Sequence, residues 1–147
     1  MIILDLDGTI VDFYSVPNWL EMLQAEDPTP YEMAKPLVNL SVLARLLNKA
    51  QRLGQPIGVI SWTSKNSSKE YAELVKIAKL KWLKRHLPSV QFDKIVIIPY
   101  GEPKSKHADF ASYLFDDEPA NREEWSKIGE AFSEKELFQV LRELVEG

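Results

Sequence analysis

Four short apolar runs, Ile2–Leu6, Ile57–Ile60, Ile95–Ile98 and Tyr113–Phe115, are each cut off by polar or turn-forming residues. Runs this short, bounded this way, read as strands buried on both faces. The segments between them carry a different period. Leu43, Leu46, Leu47, Ala50 and Leu53 recur at helical spacing from Ser41 until Gly54. Tyr71, Leu74, Val75, Ala78 and Trp82 form a second stripe, opened by Ser67 and Glu70 at capping-box spacing and closed by Pro88. A short strand over Ile128–Phe132 follows, then a final helix with Leu137, Val140, Leu141 and Leu144, opened by Ser133 and Glu136. Strands that alternate with helices predict an α/β fold, its parallel sheet joined by right-handed crossovers.

One segment departs from that alternation. Tyr14 to Leu40 contains Pro17, Pro28, Pro30 and Pro36. These permit only short helices, expected over Asn18–Gln24 and Tyr31–Lys35. An insertion into the α/β framework belongs there. With 147 residues, the chain is expected to form one domain over 1–147 with a sizeable core.

Composition removes several chemistries. The chain has no cysteine, which excludes disulfides, thiolate catalysis and cysteine-ligated metals. A net charge of -4 disfavours a protein that coats nucleic acid through broad basic patches. Met1 leads directly into Ile2-Ile3-Leu4 and then Asp5, too short and too soon charged for a signal peptide. No apolar run approaches the ~20 residues of a membrane span. The expectation is a cytoplasmic protein with no membrane partner; its oligomeric state stays open.

In open parallel sheets, ligands gather at the carboxyl ends of the strands. Here the first run ends in Asp5-Leu6-Asp7-Gly8-Thr9, and the second in Ser61, with Thr63 and Ser64 just beyond. Lys104 and Lys106 follow the third, and Asp116-Asp117 the fourth. Carboxylates, hydroxyls and a lysine converging in this way describe a site for phosphate and a hard cation such as magnesium, which takes oxygen ligands. Asp5 and Asp116 are candidates to hold it, with a main-chain carbonyl near Asp7. Asp5 and Asp7 flank one residue, so both can approach a single centre where the strand breaks into its turn. One can attack phosphorus and form an aspartyl-phosphate. The other can protonate the leaving oxygen and later deprotonate water. Gly8 permits the tight turn.

Asp5-Leu6-Asp7-Gly8-Thr9 after an apolar strand resembles the first motif of the haloacid dehalogenase superfamily. Ser61, a lysine and the Asp116-Asp117 pair resemble its other three, in the right order. The resemblance implies a Rossmann-like, three-layer α/β/α fold around a central parallel sheet, and phosphatase chemistry. It implies Asp5 as nucleophile and Asp7 as acid/base. Magnesium would lie on Asp5, Asp7 and Asp116, with Asp117 an outer partner that orients the site. The stretch from Lys81-Trp82-Leu83-Lys84-Arg85-His86-Leu87 through Lys106 to the acidic pair is similar to the 5'(3')-deoxyribonucleotidase branch. That similarity favours Lys106 over Lys104 as the phosphate lysine, and a nucleotide as the small phosphorylated substrate. The sizeable cap of that branch has no counterpart of equal length; 14–40 leaves room for a vestige. Ser61 is the first candidate to grip the phosphate, and Thr63 beside Ser64 is the alternative.

Other residues carry plainer expectations. Trp19, Trp62, Trp82 and Trp125 read as core or cap packing, with Trp62 also placed to stack on a base. His86 and His107 are not expected to be ligands. Two further readings keep the same sequence features. An open site beside Lys76, Lys79, Lys81, Lys84 and Arg85, read as a basic helix surface, would suit a nucleic-acid end or a phosphoprotein. A non-catalytic module could also bind a nucleotide or partner through the same fold.

Overall fold

The computed structural model describes Met1 to Glu146; Gly147 lies outside the described residues. A five-stranded sheet forms the centre, in the order β5-β4-β1-β6-β7. Its strands are β1 (Ile2–Leu4), β4 (Ile57–Trp62), β5 (Lys94–Ile98), β6 (Tyr113–Phe115) and β7 (Glu130–Phe132). Every pairing is parallel. The fold is therefore the expected Rossmann-like α/β arrangement, a parallel sheet flanked by helices.

Alternation along β1 explains the layering. Ile2 and Leu4 join the large core that holds Leu43, Leu46 and Leu47 of α3 (Leu40–Arg52), Val75 and Trp82 of α4 (Lys69–His86), and Leu141 of α6 (Leu137–Glu146). Ile3 points to the other face, where Ile60, Ile98 and Leu114 meet Trp125 of α5 (Pro119–Trp125). A side-chain period of two thus feeds both faces of a fully buried strand.

The strand registers level the chemistry. Leu4 pairs with Val59 on one side and with Phe115 on the other. Asp5 and Asp116 therefore leave the sheet at the same height. Sequence moves outward from β1 to β4 and β5, then jumps across β1 to β6 and β7, so β1 and β6 flank the point where the strand order reverses. Crevices open at such points.

Boundaries moved where side chains intervened. The strand expected over Ile2–Leu6 stops at Leu4, because Leu6 already accepts from the amides of Thr9, Ile10 and Val11 in the turn. Helix α4 is capped by Ser68, which accepts from Tyr71 N at 3.1 Å, and not by Ser67. Glu26 accounts for the shift: its carboxylate accepts from Ser68 N and Oγ at 3.1 and 2.7 Å, while Ser67 donates to Ser64 O at 2.8 Å. The capping box of Ser133 and Glu136 forms as expected and leads through a 3-10 turn into α6. Among the described residues, no helix is long and apolar enough to cross a membrane.

The 14–40 segment leaves and returns through an antiparallel pair, β2 (Val11–Asp12) and β3 (Lys35–Pro36). Between them lie α1 (Trp19–Gln24) and α2 (Thr29–Met33). The second helix begins two residues earlier than its expected start at Tyr31, with Pro30 in its first turn, where the missing N–H costs nothing. Long-range hydrogen bonds tie the segment to α4: Trp82 Nε1 donates to Ala34 O at 2.8 Å and Tyr71 OH to Asp27 O at 3.0 Å. Phe13 and Tyr31 stack at 4.5 Å and share the main core.

Candidate active site

Asp5 follows β1 directly, and its amide still donates to Phe115 O at 2.9 Å, so the sheet ladder holds its backbone. Its two carboxylate oxygens have different partners: Oδ1 accepts from Lys104 Nζ at 2.9 Å and Oδ2 from Thr9 Oγ1 at 3.0 Å. The Thr9 hydroxyl in turn accepts from Asp117 N at 3.2 Å, pinning the first turn to the end of β6. Gly8 sits between them with φ of +83°, and a Cβ there would lie 2.2 Å from Asp117 Oδ2. Both the backbone and the space demand glycine.

Asp116 is fully buried and strongly anchored. Lys104 Nζ reaches Oδ2 at 2.7 Å, Asn121 Nδ2 reaches the same oxygen at 3.1 Å, and Glu118 N donates to Oδ1 at 2.9 Å. Burial works against the Lys104 ammonium, but Asp5 and Asp116 more than offset it and hold its pKa above the ordinary lysine value. Two of its three N–H donors are thereby engaged.

Lys104, and not Lys106, is the lysine that meets the carboxylates. Both sit in the 3-10 turn Lys104–His107, where positions two apart point to different sides. Lys104 is 3% exposed and Lys106 faces outward. The spacing that favoured Lys106 counts residues to the acidic pair but carries no information about which side of the turn faces inward.

A second lysine is buried beside the first turn. Lys79, taken above as part of a basic helix surface, is 2% exposed. Its Nζ donates to Asp7 Oδ2 at 3.0 Å, Ser61 Oγ at 2.7 Å and Trp62 O at 2.6 Å, which engages all three N–H groups. Its position held a signal. It lies four residues after Val75 and three before Trp82, inside the apolar stripe of α4, where a charged side chain must find partners. Burial pushes the Asp7 carboxyl above the usual range, and Lys79 opposes that shift.

The fit of a metal can be judged from the donor set. Asp5, Asp116 and Asp117 each offer a carboxylate oxygen within 4.8 Å of the others. Burial first, and the Asp5 charge second, push Asp116 up to about 6 and Asp117 up to about 8. A cluster of hard oxygen donors short of positive charge fits a divalent cation such as magnesium. The Asp7 carboxylate is turned to Lys79, which leaves its main-chain carbonyl, the donor expected near Asp7, as that residue's route to a cation, and Asp117, expected further out, places its carboxylate in the cluster.

Asp5, Asp7, Lys104 and Asp117 line the floor of a cavity of about 510 Å³, with Asp116 and Lys79 buried behind them. Ser61 and Thr63 both border it, Ser61 already held by Lys79. Its walls are aromatic: Tyr14, Trp19 and Tyr31 come from the inserted segment and its approach, and Trp62 and Tyr100 face the cavity from β4 and the loop after β5. Trp62 lies 5.0 Å from Tyr100, donates Nε1–H to Glu102 O at 2.9 Å and covers Lys104 at 5.5 Å. Trp82 and Trp125 are core residues, as expected. His86 packs on Trp82, and His107 bonds Glu102 at 2.5 Å; neither borders the cavity.

No protein-family model matches the chain, and no curated protein sequence does. Among solved structures it is similar to the D,D-heptose 1,7-bisphosphate phosphatase from Burkholderia thailandensis, with a TM-score of 0.51 at 12% identity, over 88% of this chain and 73% of that one. At that identity the likeness establishes the fold alone, a Rossmann-like α/β framework.

Proposed function

We infer that the chain is a magnesium-dependent phosphomonoester hydrolase that works through an aspartyl-phosphate on Asp5. The observation that carries this reading is the convergence of Asp5, Asp7, Asp117 and Lys104 at the floor of a cavity, with Asp116 buried behind them on Lys104. Lys104 keeps one N–H for a phosphoryl oxygen, and Ser61 or Thr63 supplies a hydroxyl. Asp5 attacks phosphorus as the ester oxygen leaves. Asp7, held at one oxygen by Lys79 and raised in pKa by burial, donates its proton to that oxygen. The resulting carboxylate then takes a proton from the water that hydrolyses the acyl-phosphate and releases inorganic phosphate. Asp5, Asp116 and Asp117, with the main-chain carbonyl of Asp7, would hold a magnesium ion, which would supply the charge that lets a carboxylate approach a phosphate dianion and would polarise the phosphoryl group.

The 14–40 segment acts as a minimal cap. A nucleotide is the favoured substrate, because the cavity above the carboxylates is walled by aromatic rings on two sides. The inward turn of Lys79 weakens the case for a basic groove that leads a nucleic-acid end to the site.

The test is phosphate release from nucleoside monophosphates and a generic aryl phosphate, with and without magnesium. Turnover that needs the metal and vanishes in Asp5→Asn is the expected result. Absence of turnover on both substrate types, with ligand binding unaltered in Asp5→Asn, sinks the enzymatic reading in favour of a binding module.

A further inference from the structure

Helix α4 buries one side against the sheet and leaves an unusual opposite side. Glu70, Glu73, Leu74, Ile77, Leu80, Lys81 and Lys84 recur three and four residues apart, so they share one face. All are exposed, with Leu74 at 44%, Ile77 at 47% and Leu80 at 39%. The 18-residue helix is about 27 Å long, and these residues run along most of it. Leu80 also borders an apolar groove of about 290 Å³ that continues under it to Leu87, Phe92 and Ile95. An apolar centre flanked by charge is the layout of an interface core and its rim.

The order of charges identifies the occupant. Acids lie toward the start of the face and bases toward its end. Turning a second copy through a two-fold axis at Ile77 sets Ile77 against Ile77 and Leu74 against Leu80. The same rotation sets Glu73 against Lys81 and Glu70 against Lys84, each twice. The geometry points to this face as the contact of a symmetric homodimer, with α4 antiparallel to α4 of the second copy. Such an isologous contact needs a self-complementary patch, and this one complements itself in both apolar and charged positions. A nucleic acid fits less well, since Glu70 and Glu73 repel phosphates and the face offers only Lys81 and Lys84, both at one end, to meet a backbone. This contact is independent of the catalytic reading, because none of its residues borders the site.

Sedimentation velocity on the whole chain across the micromolar range tests it. The expected result is a reversible monomer–dimer equilibrium. Glu73→Lys and Lys81→Glu should each weaken the dimer about tenfold in Kd, and the combined Glu73→Lys/Lys81→Glu chain should recover it, because the swap restores both pairs. Ile77→Asp should abolish it without altering the circular dichroism spectrum. The chain has no cysteine, so Ile77→Cys introduces a single thiol on the axis. It should form a covalent dimer on mild oxidation, whereas Leu74→Cys should do so only when mixed with Leu80→Cys. A monomer at every concentration overturns the inference, as does a dimer indifferent to Ile77→Asp. A charge swap that fails to rescue overturns the antiparallel register. A monomer that binds a 5'-phosphorylated oligonucleotide through Lys81 and Lys84 assigns the face to nucleic acid instead.

Discussion

The floor and the walls of the cavity are built on opposite principles. The floor is charged and tightly bonded: four carboxylates, Asp5, Asp7, Asp116 and Asp117, meet two buried ammonium groups, Lys79 and Lys104, and keep an excess of negative charge. Each group is fixed by a strand end or by a hydrogen bond from another element. The walls are aromatic and unevenly held: Tyr31 is buried in the core and Trp62 is hydrogen-bonded, but the rest is open to solvent. Helix α1 buries none of its residues fully, and Tyr14, Leu20 and Tyr100 are each about half exposed. A site in which charge must be placed to fractions of an ångström needs a rigid frame. A surface that shelters one face of a ligand needs only the right chemistry within reach.

If that division holds, damage to the floor and to the walls should read out differently. The largest effect belongs to Asp7, the proposed acid/base. Asp7→Asn should slow turnover by about 10²–10⁴-fold in kcat with little change in KM. A comparable rise in KM alone would move Asp7 out of the chemistry. Next comes the frame itself. Lys79→Met should cost about 1–3 kcal/mol in urea denaturation, because it removes the hydrogen bonds that Ser61 Oγ and Trp62 O accept and the nearest cation to Asp7. If the variant were as stable as the parent, the buried pairing would not be holding the floor together.

Metal and pH probe the same region. Asp116 and Asp117 sit well above the ordinary aspartate value, at about 6 and about 8, so the folded chain binds more protons than the unfolded one between roughly pH 4 and pH 8. Their contribution to stability is present below the unfolded pKa and is lost as pH rises through that window. Magnesium favours the ionised cluster. The rise in Tm on adding magnesium should therefore be larger at pH 8 than at pH 5 by differential scanning fluorimetry. An equal rise at both would count against these carboxylates as the site of the ion.

The walls should give the smallest response. Trp62→Ala should raise KM for an aromatic phosphomonoester about three- to tenfold and leave kcat nearly intact, given the usual worth of one aromatic contact. A collapse of kcat would show that Trp62 also holds Lys104 in place, which its 5.5 Å contact makes a meaningful alternative.

The sequence was most legible where period and motif agreed. The strands, the long helix α4 and the Asp5–Asp7 turn follow from short apolar runs cut by turn residues, and the structure puts them where that pattern implies. Lys79 and Lys104 were harder for opposite reasons. Lys79 lies on a helix otherwise rich in exposed lysines, and only its place in the apolar stripe marks it as buried. Lys104 competes with Lys106 in the same turn, and spacing cannot tell which way a 3-10 turn rolls. The cap of α4 moved from Ser67 to Ser68 because Glu26, distant in sequence, arrived to accept from it.

By itself, the sequence determined the alternation of strand and helix, the broken strand that carries Asp5 and Asp7, and the chemistry of the residues at each strand end. Those are local properties, set by side-chain period and by backbone conformations that glycine and proline allow or forbid. Only the tertiary structure decided which lysines enter the site, that the Asp117 carboxylate joins those of Asp5 and Asp116, and that the proline-rich segment folds over them as an aromatic wall. Those choices depend on strand register, the rotation of α4 and the fold of 14–40 onto it. Each is a contact between residues far apart in the chain, where the energy of burying a charge outweighs any local preference.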